Sequence, residues 1–163
     1  MTAEDSPKRA VIVACDGAAR GNPGPAGIGA VVVSLDGEVL AEVAEGIGVA
    51  SNNVAEYRAA IAGLAAAREL GATDVLLRSD SRLLIEQLAG RFRVKHPTLQ
   101  RLHTEARGLL AAFERYKLEH VPRERNKHAD KLANLGVDEW LATEGAGYER
   151  PSPPVPLFPD QGQ

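Results

Sequence analysis

Cysteine is almost missing from this chain. Cys15 is the one thiol in 163 residues, so no intrachain disulfide can form, and the Cys/His clusters of structural zinc sites are absent. Any metal must therefore be held mainly by oxygen. Long hydrophobic runs are missing as well, and none approaches the roughly 20 apolar residues needed to cross a bilayer. The start, MTAEDSPKR, carries two acids and no apolar core, unlike a secretory signal, and a cytoplasmic location is the expectation.

There is no overall surplus of positive charge either. A net charge of −3 argues against indiscriminate polyanion binding, but residues 78–131 hold 13 Lys and Arg against 7 Asp and Glu, leaving −9 on the rest. Charges more than about 8–10 Å apart are largely screened at physiological salt, so that basic half could still face phosphates. What is present, 44% hydrophobic and 25% charged residues, is the composition of one globular domain with a sizeable core.

Hydrophobic periodicity divides the chain. RAVIVAC, ending at Asp16-Gly17, reads as a buried strand, and ARGNPGPAG as a loop because of its Gly and Pro. GIGAVVVS and EVLAEVAEGIG flank Asp36-Gly37, which suits a tight hairpin between antiparallel strands. The period then becomes helical: Val54, Tyr57, Ile61 and Leu64 predict a helix over roughly 52–70 that stops at Gly71. Val75-Leu76-Leu77 predicts a central strand, SRLLIEQLA a short helix, and Pro97-Thr98 the start of a longer one carrying Leu99, Leu102, Ala106, Leu110 and Phe113. YKLEHV follows as a strand. Asn126 is placed to cap a last helix with Ala129, Leu132, Ala133, Val137 and Trp140.

The order β-β-β-α-β-α-α-β-α implies an α/β fold, a mixed five-stranded sheet with helices on both faces. Its expected extent is residues 9–141. Residues 1–8 are expected to be flexible, and 142–163, where five of ten prolines fall, to be a Pro-rich disordered tail or linker.

Four carboxylates fall at element ends or on an inward face. Asp16 ends the first strand and Asp80 the central one, Glu56 shares a helix face with Ala60, Gly63 and Ala67, and Asp130 lies in the first turn of the last helix. Converging acids raise one another's pKa unless a cation sits among them, and Mg²⁺ is the hard ion suited to oxygen ligands and phosphate substrates. Two such ions about 3.5–4 Å apart can serve an in-line phosphodiester displacement. Singly, each acid has another reading: Asp80-Ser81 as a helix cap, Asp130 as a partner of the helix dipole, Asp16-Gly17 as a turn. Glu56 has the weakest alternative, since an inward acid without a partner costs energy.

The strings CDGAARGNPGPAGIGAVV, SNNVAEYRAAIAGL, LRSDSRLLIEQL and HVPRERNKHADKLAN, in order over most of 10–136, together closely resemble the type 1 ribonuclease H family. The resemblance implies a ribonuclease H-like fold and an endonuclease that hydrolyses the RNA strand of RNA–DNA hybrids. Asp16, Glu56, Asp80 and Asp130 would hold two Mg²⁺ ions, with Mn²⁺ as the other candidate. Asn22, Asn52 and Asn53 match family residues that contact substrate, as suits 2′-hydroxyls in a shallow minor groove; read alone, they are a turn residue and two helix-cap candidates.

Two departures qualify it. The flexible Gly-His loop of the best-known bacterial members is replaced by the shorter PRERNKHA, similar to an archaeal and actinobacterial-like branch in which an arginine at the position of Arg123 is implicated. An arginine cannot act as a base at neutral pH, so its role would be charge stabilisation. His120 reads as structural and His128 as a solvated surface residue. The second departure is the missing basic protrusion: GRFRVKHP stands in its place, with Arg91, Arg93 and Lys95 either touching phosphate or forming a solvated edge, and weak substrate affinity is the expectation. The branch also makes double-stranded RNA a second candidate substrate. It also brings a frequent fusion to a C-terminal phosphatase-like domain, and a chain working as a monomer is the expectation. A non-catalytic nucleic-acid-binding module of the same fold is the alternative from another class.

Overall fold

The computed structural model describes residues 8–151. Its elements are β1 (Ala10–Ala19), β2 (Gly24–Ser34), β3 (Val39–Ala50), α1 (Asn52–Glu69), β4 (Asp74–Ser79), α2 (Arg82–Leu88), α3 (Pro97–Ala111), β5 (Arg115–His120), a 3-10 turn (Arg123–Arg125) and α4 (Lys127–Ala142). The strands form one sheet in the order β3-β2-β1-β4-β5. β1, β2 and β3 run antiparallel as a meander, and β4 and β5 join parallel to β1 through helical crossovers.

Both sheet faces carry helices. On one, Val11 and Val13 of β1 and Leu77 of β4 meet Tyr57 and Leu64 of α1, with Ala106 and Leu110 of α3 completing the core. Gly63 lets α1 settle directly on Val13 and Ala30. On the other, α4 crosses β2, where Gly27 and Gly29 lie so close to its backbone that a Cβ on either would overlap Ala133 or Ala129. Among the described residues no helix is long and apolar enough to cross a membrane.

The expected element order and fold class are observed, with two local corrections. β1 does not end at Asp16 but runs on to Ala19, and the stretch 19–27, expected as a loop, is strand except for residues 20–23, which form the connection. Gly27 marks close approach to the α4 backbone, whereas Gly21, at a φ of 108°, and Gly24, against the Arg20 carbonyl, belong to the tight connection itself. Asn126 stands at the N-terminus of α4 but makes no side-chain cap; its amide Nδ2 donates instead to the Cys15 carbonyl at 2.9 Å. Past α4, Gly145 is buried under Trp140, whose ring lies 6.1 Å from that of Tyr148. The expected tail beyond 151 and the N-terminal stretch up to residue 7 lie outside the described residues.

Candidate active site

β1 outlasts its parallel partner. The last β1–β4 pair is Cys15 with Ser79, whereas β1 and β2 stay paired to Ala19 with Ala26. A crevice therefore opens beside Asp16, with Asp80, the first residue past β4, across it. This is where open α/β sheets place their ligands. α1 brings Glu56 to the same point because Gly17 lacks a side chain: a Cβ there would collide with the backbone of Ala55 and Glu56.

One ligand atom from each of Asp16, Glu56 and Asp80 lies within 4.8 Å of the other two. Asp16 is 5% and Glu56 8% exposed. Burial, then the charges of Glu56 and Asp80, hold the Asp16 carboxyl far above the usual carboxylate range. Burial also raises Glu56, and the Asp80 charge adds to this, while a hydrogen bond from the Gly17 N–H to Oε1 at 3.2 Å works the other way. Its second oxygen, Oε2, is buried with no partner. Such an orphaned, acceptor-only atom in an acidic pocket fits a divalent cation among oxygen ligands.

Asp130 enters from α4, and its carboxyl adds to the upward shift of Asp16. It lines the same cleft of about 430 Å³, together with Arg20, Asn52, Arg123 and Asn134. The structure thus brings all four acids to one end of the sheet, though Asp130 lies outside the tight triad.

Several alternative readings lose their footing. Ser81, not Asp80, caps α2, its Oγ accepting from the Leu84 N–H at 3.2 Å. Asp16 lies within a strand and not in a turn. Ser51 caps α1 through the Val54 N–H, so neither Asn52 nor Asn53 is used up in capping. Asn22 Oδ1 accepts from the Asn52 N–H at 3.0 Å, tying the β1–β2 connection to the start of α1; both residues, and Asn53, have exposed side chains.

Arg123 projects into the cleft from the 3-10 turn. His128 is turned away onto Glu42 of β3 at 2.6 Å, as a surface role requires, and His120 faces the Asp80 carbonyl at 3.3 Å. Arg91 is paired with Glu86 at 2.5 Å. Arg20 and Asn134 were not singled out in the sequence. The available signals were the i,i+4 spacing of Asn134 from Asp130 and a lone arginine in the Gly-Asn-Pro-Gly segment.

A family model described as reverse transcriptase-like matches residues 14–136. The bifunctional protein Rv2228c of Mycobacterium tuberculosis is 53% identical over 129 residues, covering 78% of this chain and 35% of the relative. Ribonuclease HI of Halobacterium salinarum is 49% identical over 124 residues, covering 76% of this chain and 62% of the relative. The chain thus spans only about a third of the length of its mycobacterial relative. Among solved structures, the N-terminal RNase H domain of that mycobacterial protein superposes with a TM-score of 0.78 at 52% identity, covering 79% of this chain and 99% of that one. LC11-RNase H1, crystallised with an RNA/DNA hybrid, gives 0.76 at 38% identity, covering 80% and 99%.

Proposed function

Because this chain belongs to the type 1 ribonuclease H family, we propose that it is an endonuclease hydrolysing the RNA strand of RNA–DNA hybrids. The observation that carries the proposal is the buried triad of Asp16, Glu56 and Asp80 with its unpartnered Glu56 oxygen. Three elements converge to bury acids without a cationic partner among them, an arrangement that costs stability unless a cation completes it. With Asp130 they would hold two divalent ions, Mg²⁺ on grounds of hardness, with Mn²⁺ also acceptable. When bound, such ions activate the attacking water and stabilise the leaving oxygen.

The remaining residues position the substrate. Asn52 on the cleft wall, with Asn22 and Asn53 beside it, presents amides that both donate to and accept from 2′-hydroxyls, the groups that distinguish RNA from DNA. Arg123 offers a permanent charge to a phosphate oxygen and cannot take up a proton at neutral pH. Such an enzyme meets its substrate in the cytoplasm and needs no second copy, since all four acids come from one chain.

The deciding experiment is cleavage of an RNA–DNA hybrid with Mg²⁺ by the native chain and by Asp80→Asn, with double-stranded RNA and DNA duplexes alongside. The native chain should cut the RNA of the hybrid and Asp80→Asn should be at least about 100-fold slower, the scale of losing a charge-bearing catalytic group. Equal rates would refute the proposal. Equal cutting of double-stranded RNA would widen the substrate class.

A further inference from the structure

Asp130 is the outlier of the four acids. Ligand atoms of the other three cluster tightly, whereas Asp130 stands beyond them, half-buried, on a helix that starts after the 3-10 turn. A carboxylate so placed has the most freedom to rotate away from an ion.

Its neighbour one turn along α4 limits that freedom. Asn134 Nδ2 donates to the Asp130 carbonyl at 3.0 Å and to its Oδ1 at 3.4 Å. Asn134 Oδ1 in turn accepts from Arg20 Nη2 at 3.3 Å, and the same Nη2 reaches the Asn134 carbonyl at 3.4 Å and pairs with Asp138 at 2.8 Å. These contacts run from the solvent-exposed Asp138 through Arg20 and Asn134 to Asp130 at the cleft, and both intermediate residues line it.

We propose that Asn134 is a positioning residue for the Asp130 carboxylate, and that Arg20 fixes the Asn134 amide in the orientation this requires. An amide has one accepting and one donating end. With a guanidinium against one side, the oxygen must face Arg20 and the NH₂ must face Asp130. A neutral donor suits the task. It occupies one lone pair of the carboxylate and fixes its plane while leaving the negative charge for a cation, whereas Lys or Arg in direct contact would compete with the ion. Arg20, the one positive charge in the chain of contacts, is kept a residue away and balanced by Asp138. Outer partners of ligating carboxylates commonly matter in this way.

The inference rests on the reading of Asp130 as a carboxylate that faces a divalent ion. The test is Mn²⁺ binding to the full-length chain, with free ion read by electron paramagnetic resonance, for wild type, Asn134→Ala and Asn134→Leu, each also in an Asp130→Asn background. Both single variants should melt like wild type and bind Mn²⁺ about 10-fold more weakly, with kcat on hybrid falling in step and KM unchanged. Arg20→Gln should give a smaller loss in the same direction. In the Asp130→Asn background the Asn134 effect should disappear, because a positioning residue has nothing left to position, whereas a merely structural defect would persist. Wild-type Mn²⁺ affinity in both Asn134 variants, or an undiminished loss in the Asp130→Asn background, would overturn the inference alone. A wild-type chain that neither binds Mn²⁺ nor cuts hybrid would overturn the reading of the site beneath it.

Discussion

Arg123 is exposed at the lip of the cleft, where its side chain can change without disturbing the core. Arg123→Ala should therefore leave the melting temperature within about 2 °C of wild type, since exposed substitutions rarely exceed about 0.5 kcal/mol. Its kcat on hybrid should fall by about 100-fold if the guanidinium stabilises developing phosphate charge. Arg123→Lys should recover part of this, keeping the charge but losing the planar fork. Steady-state kinetics beside a thermal melt decides the matter, and an unchanged kcat would remove Arg123 from the active group. The histidines differ: His128 is held on Glu42, outside the cleft, and among the described residues no histidine lines it.

At the scale of elements, the glycines of β2 determine where α4 lies, and α4 carries Asp130. A methyl group at Gly29 would overlap the Ala129 carbonyl and press on Ala133. Gly29→Ala should cost about 1–3 kcal/mol in urea unfolding, the usual range for overpacking. It should also lower activity beyond what the stability loss explains, because α4 must shift away from Asp16; full activity in a destabilised variant would show that the helix accommodates the methyl group without moving Asp130. The segment between α2 and α3 has the opposite character. Arg91 is tied to Glu86, and the Arg93 carbonyl is held by Gln87. That leaves Arg93 and Lys95, both exposed, as the cations this segment offers a nucleic-acid backbone. Hybrid binding by Asp80→Asn, followed by fluorescence polarisation at physiological salt, should give a Kd of about 1 μM or weaker with a shallow salt dependence. Nanomolar binding would contradict this.

For the molecule as a whole, the acid cluster sets a conflict between stability and function. The folded-state pKa of Asp16 is raised above its unfolded value, so folding favours the protonated form. That contribution is complete below the unfolded pKa, near pH 4, and is lost as pH rises toward the folded pKa. The ion-free chain should therefore lose stability from mildly acidic to neutral pH. Asp16→Asn should flatten this dependence and, in EDTA at pH 7, stabilise the fold by about 1–3 kcal/mol. Adding Mg²⁺ or Mn²⁺ should stabilise wild type by mass action and Asp16→Asn much less. Denaturant melts with and without ion provide the check; a destabilised Asp16→Asn in EDTA would mean that the carboxylate is satisfied by protein groups alone.

Hydrophobic period, turn chemistry and the joint occurrence of the Asn-rich and Asp-bearing strings determined the order of elements, the mixed sheet and the four acids worth testing. These are local properties: an alternation of two or 3.6 residues is written along the chain and needs no partner to be read. Only the tertiary structure decided that Asp16 lies within a strand that outruns its neighbour, that Ser81 rather than Asp80 caps α2, and that Asn126 ties β1 to α4 instead of capping it. Gly27 and Gly29 of β2, at the start of the expected strand GIGAVVVS, turned out to admit a helix backbone. Arg20 and Asn134 are 114 positions apart and acquire meaning only where the β1–β2 connection meets α4. Contacts of that kind depend on how elements pack across the sheet, a relation that no short stretch of sequence contains.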